Sequence, residues 1–220
     1  MQIVGSHQYP TMETVIYGKP AAEALREEAE RLGAKRVYLI ASRTLNTTTD
    51  EIEKIRNGLG DRHAATFDGV PQHTTRDVVT LIARQASEAR ADLVVAIGGG
   101  STVGLGKALS LRTGLPHLAV PTTYAGSEMT PILGETTNGI KTTQHSQDLV
   151  PDAVIYDVDL TVSLPPHVSA ASGLNAIAHA VEALYAPDAN PLTSLMAEDG
   201  TAALARALPR IVAAPADAGA

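Results

Sequence analysis

Residues 92–109 read DLVVAIGGGSTVGLGKAL, and this run constrains the fold more than any other part of the chain. DLVVAIG (92–98) is apolar and rich in β-branched residues, the pattern of a strand buried on both faces. It passes through three successive glycines into a helix that starts near Ser101. A strand without a polar face that turns directly into a helix belongs in a parallel sheet covered by helices.

The neighbouring segments keep the same alternation. TVIYG (14–18), RVYLIAS (36–42), the weaker AATFDGV (64–70) and HLAVPTT (117–123) read as strands. Between them, PAAEALREEAERLGA (20–34), closed by Gly33, and TTDEIEKIRNGLG (48–60) read as helices with glycine stops. TTRDVVTLIARQASEARA (74–91) carries apolar residues at 78, 79, 82, 83 and 86, a helical period. Right-handed crossovers then put the carboxyl ends of the strands, and any ligand, on one edge of the sheet.

After Thr123 the pattern changes. TPILGETTNGIKTTQHSQDLV (130–150) reads as a β-hairpin turning at Asn138-Gly139. DAVIYDVDLT (152–161) is a last strand, and LPPH (164–167) opens a region with helical patterns only, at 167–185 and 191–207, before a frayed tail at 214–220. The segment 172–184 is apolar on nearly all sides, so it is expected among other helices, of which the chain supplies too few. The fold class expected is α/β. Residues 1–163 form a Rossmann-like parallel-sheet domain with helices on both faces, and 164–220 begin an all-α C-terminal domain.

Composition narrows the functional classes. A net charge of −7 argues against phosphate-backbone binding, so no nucleic-acid partner is expected. With no cysteine, thiolate zinc sites, disulfides and cysteine nucleophiles are excluded. The N-terminal MQIVGSHQYP lacks the features of a signal peptide, and the apolar runs are too short to span a bilayer. A cytoplasmic protein without membrane association is expected.

The chemistry concentrates in three places. Gly98, Gly99 and Gly100 let the backbone approach a ligand closely, Ser101 can cap the following helix, and the free amides of that first turn suit a pyrophosphate. The alternative is a tight turn that only needs glycine. The motif departs from the usual dinucleotide fingerprint, because Val103 stands at the third glycine position. Lys107, two turns into the helix, reads as a solvated surface lysine. The loop PTTYAGSEMT (121–130) offers the hydroxyls of Thr122, Thr123, Tyr124 and Ser127, either as walls of a nucleotide site or as turn chemistry. Finally, SGLNAIAHAVEAL (172–184) puts Asn175 and His179 one turn apart on one helix face.

GGGS…K, PTT…GSE, the hairpin Gly139-Ile140-Lys141 and SGLNAIAHAVEA, in this order, resemble the iron-containing alcohol dehydrogenase superfamily. The variants GGGSTVGLGKAL, PTTYAGSEMTPI and SGLNAIAHAVEA look most like its maleylacetate reductase branch. The resemblance implies an N-terminal domain that binds NADH or NADPH, with the glycine cluster on the pyrophosphate and Lys141 close to the cofactor. It also implies a helical domain closing the cleft, and a homodimer. Metal-dependent members hold their metal with an aspartate and a histidine on one helix plus two later histidines. Asn175 stands in place of that aspartate and His179 in place of the first histidine, so no metal is expected. The other reading of His179 is a satisfied buried histidine. Gly104 replaces a second aspartate common in those members.

Many NAD-specific members carry an acid at the end of the second strand, where this chain has Ala41-Ser42-Arg43. A 2′-phosphate is therefore not repelled, and Arg43 can pair with it; an ordinary exposed loop arginine is the alternative. The branch reduces the C=C bond of maleylacetate, a small dicarboxylate, to 3-oxoadipate in aromatic-compound degradation. His179, with Asn175 or Tyr124, is then expected to donate hydrogen bonds to the enolate oxygen. The rivals are a metal-dependent alcohol or polyol dehydrogenase and a cofactor-binding fragment without turnover.

Overall fold

The computed structural model describes residues 11–137 and 139–214. They form two compact units. One contains residues 11–122 and 127–160, the other 123–126 and 161–214.

The first unit holds a six-stranded sheet with all pairings parallel. Its strands are β1 (Thr14–Tyr17), β2 (Val37–Ala41), β3 (His63–Phe67), β4 (Leu93–Gly98), β5 (His117–Pro121) and, after the hairpin strands β6 (Ile132–Thr137) and β7 (Ile140–His145), β8 (Ala153–Tyr156). The order across the sheet is β1-β8-β5-β4-β2-β3. The chain runs outward from β2 to β3, then returns to place β4 on the other side of β2. That reversal opens a crevice at the carboxyl ends of β2 and β4, the usual ligand position in an open α/β sheet.

Alternation along the buried strands divides the core into two faces. Val37, Leu39, Leu93, Val95 and Ile97 meet α1 (Ala21–Arg31) and α3 (Glu51–Leu59) through Leu25, Ile52 and Ile55. Tyr38, Ile40 and Val94 face α4 (Arg76–Glu88) and α5 (Gly100–Thr113) through Val79, Ile82, Leu105 and Leu109. The expected strand and helix alternation is therefore present, with helices on both faces.

Two local differences from the expected pattern stand out. A short helix, α2 (Arg43–Thr48), follows β2 where a loop was expected. Its RTLNTT sequence has poor helix formers, but the Ser42 hydroxyl caps it by accepting from Leu45 N at 3.3 Å. The hydroxyls of Thr47 and Thr48 donate back to carbonyls one turn earlier. The last strand stops at Tyr156 and gives way to a one-turn helix, α6 (Asp159–Val162). In the hairpin, Gly139 takes a φ of +77° that favours glycine, while Asn138 lies outside the described residues.

α5 approaches the sheet unusually closely. A Cβ on Gly106 would lie 2.4 Å from His117 Nε2 and 2.7 Å from the Ala96 Cβ. His117 is fully buried there, and burial together with nearby Lys107 lowers its imidazole to about 3. The unfolded chain therefore binds more protons than the folded one between about pH 6.5 and 3, so stability falls as pH drops through that window. Acidification from pH 7 to 5 is expected to cost ~2 kcal/mol through this group alone. His117→Gln should remove that part of the slope in urea melts taken at the two pH values.

The second unit is built on α7 (Pro166–Tyr185) and α8 (Pro191–Ala213), which cross closely at Gly173, where a Cβ would meet Leu208 Cδ2 at 2.3 Å. α8 continues through Pro209, beyond the expected end at 207, and most of the expected tail lies outside the described residues. The described residues supply too few helices to enclose 172–184, and Leu174, Val181, Leu184 and Tyr185 are exposed. No helix of the described residues is long and apolar enough to cross a membrane.

Candidate functional site

The β4–α5 junction is the centre of the site in the first unit. Gly98 has φ +156°, and a Cβ on it would strike Thr102 Oγ1 at 2.4 Å and approach the Ser42 Cβ at 3.2 Å. The ends of three neighbouring strands meet here, since Ser42 N donates to Ile97 O and Thr122 N to Gly98 O, both at 3.0 Å. Gly99 is the N-cap of α5, and the amides of Thr102 and Val103 both bond to its carbonyl.

No side chain caps α5. The expectation that Ser101 does so is overturned. Ser101 lies inside the first turn, and its hydroxyl donates to Gln72 O at 2.7 Å. The reason lies in the loop before α4, which is drawn against this helix. Thr136 N also donates to Thr74 O at 2.7 Å, so Gln72–Thr75 is tied both to the glycine turn and to β6. An uncapped helix N-terminus keeps its positive end available to an anion.

A pocket of about 180 Å³ opens at this point. Gly100, Ser101 and Gly104 of α5 form one wall, Ser127 and Leu133 another, and Thr74 and Lys141 complete it. Lys141 is exposed, and its stem runs over Gly134, where a Cβ would lie 2.9 Å from Lys141 Cε. The missing side chain thus makes the groove that leads the cation to the pocket. Gly104 has a similar role, because a Cβ there would lie 2.8 Å from Thr74 Oγ1.

The other expected nucleotide residues divide between the two units. Thr122 is buried in the first, at the end of β5. Ser42 caps α2, and Arg43 is an exposed residue in that helix's first turn rather than in a loop. Ser42→Ala is expected to cost ~1 kcal/mol through the lost cap, measurable as a lower melting temperature. Thr123 and Tyr124 belong to the second unit, where the Tyr124 amide donates to Ser172 Oγ at 3.0 Å. Asn175 and His179 are both exposed on α7. His179 is therefore not a buried histidine; its Nδ1 lies 3.7 Å from Glu182 Oε2. Among the described residues, no three His, Asp or Glu side chains gather as a metal site.

Sequence reasoning missed one residue altogether. Lys107 is not a solvated lysine but has no exposed surface at all. Its ammonium donates to the carbonyls of Ser127, Thr130 (2.6 Å) and Ile132 (3.1 Å), and lies 3.2 Å from Thr130 Oγ1. Burial lowers it to about 8 in spite of the neighbouring Glu128 carboxylate. Glu128 is itself buried and accepts from Tyr156 OH at 3.0 Å. The available signal was the setting, since Lys107 falls between Gly106 and Ala108 in a helix that is apolar all round from Val103 to Leu109.

Comparison with known proteins places this geometry. A family described as iron-containing alcohol dehydrogenase matches residues 12–158, and the C-terminal part of the same family matches 169–220. Maleylacetate reductase 1 of Rhodococcus opacus is 47% identical over 91% of this chain, which spans 56% of that protein. The maleylacetate reductase of Sphingobium indicum is 48% identical over 95% of the chain and 58% of its own length. The crystal structure of maleylacetate reductase from Agrobacterium tumefaciens superposes with a TM-score of 0.91 at 42% identity, covering all of this chain and 61% of that one. The chain thus spans little more than half the length of these relatives. Matched by both parts of the family over most of its length and by relatives at 47–48% identity, the chain belongs to the iron-containing alcohol dehydrogenase family.

Proposed function

We propose that this chain is the nucleotide-binding part of an enzyme that reduces the C=C bond of maleylacetate to 3-oxoadipate with NADH or NADPH, as the names of its relatives suggest. One observation carries the cofactor half of the reading. The pocket joins an uncapped helix N-terminus, a side-chain-free glycine turn and the Lys141 cation, a combination suited to a pyrophosphate and what extends from it. In the same reading, 1–163 is the dinucleotide-binding domain and 164 onward opens the helical domain of a cytoplasmic homodimer.

The residues present fit the nucleotide. Gly98, Gly99 and Gly100 admit the pyrophosphate against the backbone. Ser101 keeps its amide for the phosphate while its hydroxyl holds the Gln72 carbonyl. Thr122 and Ser127 supply polar walls, and Lys141 offsets negative charge. Ser42 and Arg43 offer no carboxylate against a 2′-phosphate, so NADPH is accepted beside NADH. When bound, the reduced nicotinamide supplies the hydride.

The α7 residues do not fit a divalent cation. Asn175 and His179 themselves offer one neutral amide and one imidazole, with no carboxylate at position 175 to hold the ion. We assign the enolate oxygen instead to the hydrogen-bond donors of His179, Asn175 and Tyr124. His179→Ala is expected to lower kcat by about 100-fold or more, the scale of losing one such donor.

The test follows NADH absorbance with maleylacetate after exhaustive chelation. Consumption that survives chelation supports a metal-free reductase. Loss of activity that zinc or iron restores would favour the metal-dependent alcohol dehydrogenase reading instead.

A further inference from the structure

We propose that Lys107 is a positioning residue of the nucleotide site: its buried ammonium gathers the 127–132 turn and fixes it against the first turns of α5. The proposal rests on the cofactor reading above and adds a residue that does not itself touch the nucleotide.

The geometry is specific. Three backbone carbonyls and one hydroxyl within six residues converge on Nζ. The two ends of that turn, Ser127 and Ile132, both line the pocket. Gly100, Ser101 and Gly104, also in the lining, precede Lys107 on the same helix. One rigid element therefore carries the anion-binding amides and, about two turns further on, the group that sets the distance to the opposite wall.

A role in stability alone does not account for this lysine. Its ammonium is lowered below the free value of 10.5, so the unfolded chain binds more protons between about pH 8 and 10.5. Stability then rises with pH across that window, because burial weighs against the charged form. Buried charges of this kind are often replaceable by apolar residues without loss of stability. What an apolar residue cannot do is gather three carbonyls to one point.

The ionisable groups facing Nζ are Glu128 on the turn and His117 on β5, with Tyr156 on β8 behind Glu128. His117 stays neutral above about pH 3, and the Tyr156 phenol is pushed well above its usual range by burial and by Glu128. On the other elements packed against α5, β4 has no ionisable side chain, Glu135 of β6 is turned to Arg76 and Arg112, and Tyr38 of β2 to Gln85 of α4. Arg84 of α4 lies by Glu88, and Asp148, below β7, accepts from Ser146.

The experiment uses this chain, Lys107→Met and Lys107→Cys. Because the chain has no cysteine, the new thiol can be aminoethylated uniquely in denaturant before refolding, which restores an ammonium of lysine length. Two quantities are read: amide hydrogen exchange of 127–132 without nucleotide, and the NADH Kd by fluorescence from pH 6 to 9.5. Lys107→Met should exchange at least tenfold faster in that segment and bind NADH at least tenfold more weakly at pH 7, and aminoethylation should restore both to within about threefold. In the unaltered chain, Kd should rise through pH 8 while the melting temperature does not fall. Unchanged exchange in Lys107→Met would overturn the clamp, and faster exchange with unchanged Kd would reduce it to a structural contact. If the substituted chains fail to refold, a Kd of the unaltered chain that stays flat across pH 8 overturns the proposal. Absence of NADH binding by the unaltered chain refutes the cofactor reading instead, and the exchange measurement still decides whether the clamp exists.

Discussion

Gly106→Ala is expected to destabilise the first unit by ~3 kcal/mol, the upper part of the range for overpacking a filled interior. For a chain of this size that corresponds to a fall in melting temperature of roughly 6–12 °C. The added methyl would meet His117 Nε2 at 2.4 Å and the Ala96 Cβ at 2.7 Å. Both neighbours are buried. Ala96 is pinned between β2 and β5 in the middle of the sheet, and the His117 amide is held by Asp152 Oδ2 at 2.7 Å. The helix must therefore shift away from the sheet, disturbing the packing of Leu105 and Leu109. Gly200 in α8 makes the control, because nothing lies within 4 Å of its Cβ position. There the same substitution should stabilise by ~0.5–1 kcal/mol through helix propensity. Equal melting temperatures for Gly106→Ala and the unaltered chain would show that the close approach of α5 is not a constraint.

Gly98→Ala should have the largest effect on ligand binding, at least a hundredfold in the NADH Kd, while the sheet stays folded. Its methyl group would be placed 2.4 Å from Thr102 Oγ1 and 2.9 Å from the Thr102 Cβ, inside the first turn of α5. Relief requires turning or translating the amides that give this helix end its affinity for an anion, and such amides work only when they are aimed. The Thr122 amide is attached to the Gly98 carbonyl, so the end of β5 moves with them. Titration by nucleotide fluorescence reads the loss directly. An alanine chain that binds as tightly as the original would mean that the nucleotide does not sit on this turn.

Much of the sheet was legible because burial on both faces leaves an unmistakable composition. VYLIA and LVVAIG have no polar position to offer solvent, and they became β2 and β4. The order of the strands was not legible, because a parallel strand carries no mark of which neighbour it will pair with. Helix α2 was hidden for a different reason. Its threonines argue against a helix, and what holds it is one serine cap and hydroxyl bonds that local propensity does not include. At the site, the glycine turn between β4 and α5 was legible from the residues themselves, whereas Lys141 entered only through the family resemblance. Lys107 could not, since lysine is so seldom buried that its charge outweighed the apolar company it keeps. Ser101 misled for a related reason: it is a good capping residue, but the Gln72 carbonyl competes for its hydroxyl from 29 positions away.

The close meeting of Gly104 and Thr74 restricts the routes by which this chain can change. A side chain at 104 would begin 2.8 Å from a threonine hydroxyl on a segment fastened at both ends. The two positions are therefore coupled in space. A side chain at 104 is admitted only if residue 74 turns away or is made smaller, so substitutions at the two positions are not independent.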